Sequence, residues 1–114
     1  MNGVDLVEQH LLGTLLLAPY LTEKCGAITG ADFADEHRGR VFDEIKALGE
    51  FADGPLLVSQ LESKRVRPPK GHGWAEMVCL MLDKYMVDDD TVSLYVQRIK
   101  EASIERRLAR RFRD

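Results

Sequence analysis

Three histidines, two cysteines and nineteen acidic residues are the groups on which chemistry could be built in this chain of 114 residues. His10, His37 and His72 share no ligand spacing, and no HExxH is present. His37 beside Asp35 and Glu36 forms a weak candidate ligand cluster, but a packed or capping histidine is the better reading of it. The run Asp88–Asp90 lacks the spaced oxygens of a calcium loop and reads better as a helix start. Cys25 and Cys79 lie far apart, with no CxxC and no adjacent base, and read as small buried hydrophobes rather than nucleophiles. There is no GxxxxGKS/T and no GxGxxG, and the GHG at 71–73 is a loop with two permissive backbones. Nothing here gives positive support for an enzyme, a metal site or a cofactor; the expectation is a non-catalytic domain with none.

The basic residues are distributed more tellingly. The segment SIERRLARRFRD, residues 103–114, holds five arginines: Arg106, Arg107, Arg110, Arg111 and Arg113. Residues 1–97 carry nine basic and sixteen acidic groups, a balance of −7, whereas residues 98–114 carry seven and three, a balance of +4. Such density could bind phosphates, although Phe112 alone offers no aromatic interleaving for base stacking. The plain alternative is a solvated helix face. Glu101 and Glu105 are poorly placed for i,i+4 pairing with a following base, which points to a neutralising partner outside this helix. That partner would be an acidic surface or the rest of a longer chain.

These residues must be placed by helices. A chain of this length is one domain and buries enough surface to need no staples. It has no apolar run long enough to span a bilayer and no basic n-region at its start, so a cytoplasmic location and no membrane partner are expected. VDLVEQHLLGTLLLAP reads as a first helix, with Asp5 as N-cap and Glu8 as its capping-box partner. Leu12, Leu15 and Leu16 share its apolar face, Leu11 and Leu17 widen it, and Gly13 implies close approach of another helix. YLTEKCGAI is a short second helix, closed by Gly26 or Gly30. A third, capped by Asp32 or Asp35, carries His37, Val41, Phe42, Ile45 and Leu48 and ends at Gly49. Pro55 opens a fourth, RVRPPKGHG is a loop, and WAEMVCLMLDKY is a fifth. The last helix, with Asp90 as N-cap, carries Val92, Tyr95, Val96, Ile99 and Ala102 on its apolar stripe. No strand alternation appears. The prediction is an all-α, compact bundle of about six orthogonally packed helices, with residues 1–90 as globular core and 91–114 as a C-terminal interface element.

Three stretches, in order, resemble the N-terminal domain of the DnaB family of bacterial replicative hexameric DNA helicases. EQHLLGTLLLAP from Glu8 is similar to that family's E-Q-x-x-L-G-x-L-L-L-x-P helix. ADFADEHRGRVFDEIKAL is similar to a segment of that family that opens on D-F, through Asp32, Phe33, His37, Val41, Phe42 and Ile45. YVQRIKEASIERRL is similar to a run of that family that opens on Tyr and closes on an Arg pair and Leu, through Tyr95, Ile99, Arg106, Arg107 and Leu108. The resemblance covers roughly residues 5–112; RVRPPKGHGW and KYMVDDDT depart from the family pattern, which marks a diverged member. It implies a helical bundle followed by a helical hairpin, a linker and an ATPase domain, with the last helix leading into the hairpin. It also implies a scaffold role: ring assembly by self-association, most simply a dimer, contact with primase or a helicase loader, and attachment to the ATPase domain of the parent helicase. Without a Walker motif this chain would not unwind DNA by itself. The expected interface is Tyr95, Ile99, Arg106, Arg107, Leu108, Arg110, Arg111 and Phe112, with Leu108 and Phe112 as apolar contacts. Two rivals stand beside it: a stand-alone, for example phage-encoded, modulator that joins a helicase, and a small protein that binds nucleic acid directly through the arginine helix.

Overall fold

The computed structural model describes residues 2–83 and 87–113, the side chain of Arg113 excepted. Five α-helices account for most of them: α1 (Gly3–Leu17), α2 (Glu36–Leu48), α3 (Gly54–Ser63), α4 (Trp74–Leu82) and α5 (Asp89–Arg113). Three short 3-10 segments, Pro19–Cys25, Gly30–Asp32 and Gly49–Phe51, complete the helical order, and no strand occurs among the described residues. The fold is an all-α multihelical bundle, as the periodicity predicts. The second predicted helix is real but is wound as a 3-10 helix, opened by Pro19 and closed at Gly26.

Local chemistry sets the helix ends, in two cases differently from expectation. α1 starts at Gly3, and Asn2 is its N-cap, accepting from the Asp5 N–H at 2.9 Å while the Asp5 carboxylate accepts from the Asn2 N–H. Asp5 is therefore the third helical residue rather than the cap. Glu8 is released from capping because it lies on the buried face, where Arg38 needs it. α2 is capped by Asp35, whose carboxylate accepts from the His37 and Arg38 N–H groups, and Gly49 closes it at φ +59, a conformation that favours glycine. At α5 the capping oxygen belongs to Asp88, which accepts from the Thr91 N–H at 2.8 Å. Asp90, the predicted cap, already lies in the first helical turn. Lys84 and Tyr85, the end of the predicted fifth helix, fall outside the described residues.

α1 is the hub, packing against α2, α4 and α5, while α3 pairs with α4 and α2. Leu11, Leu12, Leu15 and Leu16 are buried, but Leu17 is exposed, so the apolar face is narrower than predicted. They meet Val41, Phe42 and Ile45 of α2, Leu57 and Leu61 of α3, Trp74, Val78 and Met81 of α4, and Val92, Val96 and Ile99 of α5 in one core. Burying each such side chain contributes about 1.5–3 kcal/mol. The apolar side chains of α4 are thus core, and the Trp74 indole N–H donates to the Val66 carbonyl at 2.7 Å, tying the proline-rich loop down. Glu8, fully buried, accepts from Arg38 Nε at 2.8 Å and from the Ala34 N–H at 2.7 Å; Asp5 completes the pairing with the same guanidinium. This ionic clip locks α1 to the start of α2.

Candidate functional site

The last helix continues past the body that holds it. Val92, Val96, Ile99, Ala102 and Ser103 are buried, and from Ile104 onward every described side chain is exposed except the half-buried Arg106. At a rise of about 1.5 Å per residue its 25 residues span about 37 Å, close to the molecule's longest dimension of 41 Å. The helix crosses the predicted boundary at residues 90–91 without a break, and its first half is core. Two members of the expected interface lie on that half: Ile99 is fully buried and Tyr95 packs half-buried against the core, so both help to hold α5 against the body. Leu108, at 46 % exposure, and Phe112, at 87 %, stand in solvent as expected, and Ile104, not singled out from the sequence, joins them.

The point where α5 leaves the body is clamped by one carboxylate. Asp32, nearly fully buried, closes the Gly30–Asp32 turn. Its Oδ2 accepts from the Thr29 N–H at 2.9 Å. Its Oδ1 accepts from the Ser103 hydroxyl at 2.7 Å, Arg107 Nη2 at 3.0 Å and Lys100 Nζ at 3.4 Å, and its carbonyl accepts from Arg106 Nη2 at 2.7 Å. Burial pushes this carboxyl up, but the Thr29 N–H, the Ser103 hydroxyl and the Lys100 ammonium together outweigh it and hold its pKa below the ordinary value. An unpaired carboxylate at such depth would cost several kcal/mol, so the donors make the burial tolerable.

The turn reaches this position by backbone contact. A Cβ on Gly39 would strike the Gly30 carbonyl, and a Cβ on Gly30 would strike the Gly39 carbonyl and Asp43. Two glycines therefore let the turn lie directly on α2, where the Gly30 N–H donates to Asp43 Oδ1 at 2.9 Å. In the sequence Asp32 figures only as a possible helix cap and as part of a motif; its G-A-D turn carries no local mark of the clamp.

The arginines consequently divide. Arg106 and Arg107 are committed to Asp32, and Arg98 lies 3.8 Å from Glu101 and 3.5 Å from Glu105. For Arg107 the acid comes from outside the helix, from a distant turn of the same chain, and Arg106 meets the backbone carbonyl of that turn; only Arg98 departs from expectation, since its acids lie on α5 itself. Arg110 and Arg111 are exposed and have no ion-pair partner among the described residues.

The other candidate groups stay dispersed. His37 is half-buried, 3.7 Å from Asp35 and beside the Trp74 ring, and no cluster of three metal-binding side chains occurs among the described residues. Cys25 is buried as expected and burial pushes its thiol up to about 11, whereas Cys79 is exposed, contrary to expectation, because it lies on the outer side of α4. No described helix is long and apolar enough to cross a membrane. Fold and site thus define an all-helical domain that carries a clamped, projecting helix. Comparison with protein-family models, curated proteins and solved structures finds no match.

Proposed function

We propose that this chain is a non-catalytic scaffold domain of the replicative-helicase type, whose distal α5 supplies a contact for ring assembly and for primase or a loader. One observation carries the reading. Ile104, Leu108 and Phe112, spaced four residues apart, form an exposed apolar stripe on a helix whose root is clamped. A helix fixed in this way offers an apolar ridge with its ordering cost already met, which favours docking into a partner's groove. The resemblance of the Tyr95–Leu108 stretch to the entrance of a helicase hairpin supports the choice of partner class.

The test is sedimentation of the chain alone over a wide concentration range, then with purified bacterial primase and with a replicative helicase. Association that disappears in a Leu108→Asp, Phe112→Asp double variant is the expected result. A monomer at every concentration that binds neither protein would sink the reading.

A further inference from the structure

We propose that the basic side of distal α5, formed by Lys100, Arg107, Arg110 and Arg111, binds the phosphate backbone of a nucleic acid. The proposal does not rest on the scaffold reading, because it uses another side of the helix. At about 100° per residue, the basic positions Lys100, Arg106, Arg107, Arg110 and Arg111 occupy a sector about 140° wide. Ile104, Leu108 and Phe112 fall in the adjoining sector, interleaved with Glu101 and Glu105. The basic sector continues the side that upstream carries Val92, Val96 and Ile99 into the core. Where the body ends, that side changes from apolar side chains to arginines and overhangs the Asp32 turn.

Three features favour a polyanion. Arg110 and Arg111 lack ion-pair partners among the described residues, and Lys100 and Arg107 share the single Asp32 carboxylate, so four cations here face one negative charge. Arg107 to Arg111 and Arg106 to Arg110 each advance about 6 Å along the axis, comparable with the step between successive phosphates of a strand. The guanidinium fork suits phosphate oxygens, and anchoring at Asp32 holds the row straight. A membrane surface fits less well, because Glu101 and Glu105 lie among the apolar residues that would have to enter it. The basic sector has no aromatic residue, so recognition is of backbone charge and independent of sequence.

Fluorescence anisotropy of labelled single-stranded and duplex oligonucleotides, titrated with the full chain at low and then rising salt, decides the matter. Binding is expected to weaken linearly on logarithmic axes, with a duplex slope of about 0.9 per phosphate contacted and about three to four phosphates. An Arg110→Ala, Arg111→Ala variant, whose fold is checked by circular dichroism, should lose a slope of about two contacts and bind at least about tenfold more weakly at low salt. A Leu108→Ser, Phe112→Ser variant, which leaves the charge unchanged, should bind much as the parent does, which separates this site from the assembly contact. Absence of binding at low ionic strength, a slope unchanged by the arginine substitutions, or tighter binding to vesicles of anionic phospholipid would each overturn the proposal.

Discussion

Asp32 shows how one residue can take a structural role that its neighbours in sequence do not announce. Its carboxylate collects the Thr29 N–H, Ser103, Lys100 and Arg107, three of them from a helix about seventy positions away. Asp32→Asn keeps the shape and removes the charge. It should cost about 1–2 kcal/mol at neutral pH, a figure discounted because Lys100 and Arg107 are partly solvated. The pH dependence has a definite sign. The folded pKa of Asp32 lies below the ordinary value of 3.8, so its stabilisation is complete above that pH and is lost as pH falls through the lower folded value. Urea titrations of the parent and Asp32→Asn should therefore differ at pH 7 and converge in strong acid. A gap that is constant with pH would show that the charge is not what stabilises the contact.

At the scale of elements, the contact between the Gly30–Asp32 turn and α2 decides where the clamp sits. Gly39 lies inside α2, where alanine would ordinarily gain about 1 kcal/mol of helix propensity. Here the new Cβ would meet the Gly30 carbonyl, a backbone atom that cannot rotate away. Overpacking of this kind costs about 1–3 kcal/mol, and contact with backbone belongs at the upper end. Gly39→Ala should thus destabilise by about 1–2 kcal/mol net, read from its urea midpoint. Stabilisation instead would mean that the turn can lift from α2 at little cost. The same contact links local packing to the proposed interface, since lifting the turn would carry Asp32 away from Arg106 and Arg107.

Over the whole molecule, α5 belongs to two environments, and this division predicts its dynamics. Through Ser103 the helix is buried against α1 and the 3-10 segments; beyond it, Asp32 supplies the hydrogen-bonded connection to the body. Amide exchange should be slow through Ser103, approaching the rate of global unfolding, and progressively faster toward Arg113. In Asp32→Asn the faster zone should spread toward Ser103; uniform protection along α5 in both proteins would contradict a clamp at this point. The sequence by itself determined the helical class, the core stripes of α2 and α5, the solvent-facing Leu108 and Phe112 and the charge asymmetry. All of these follow from local periodicity and composition, which need no knowledge of the chain path. Even locally it misassigned the caps of α1 and α5, because Asn2 and Asp88 compete with Asp5 and Asp90 on nearly equal terms. Only the tertiary structure decided that Glu8 is buried against Arg38 and that Asp32 holds Arg106 and Arg107. Those outcomes depend on which distant groups are brought together in a low-dielectric contact, and residue spacing along the chain carries no record of that.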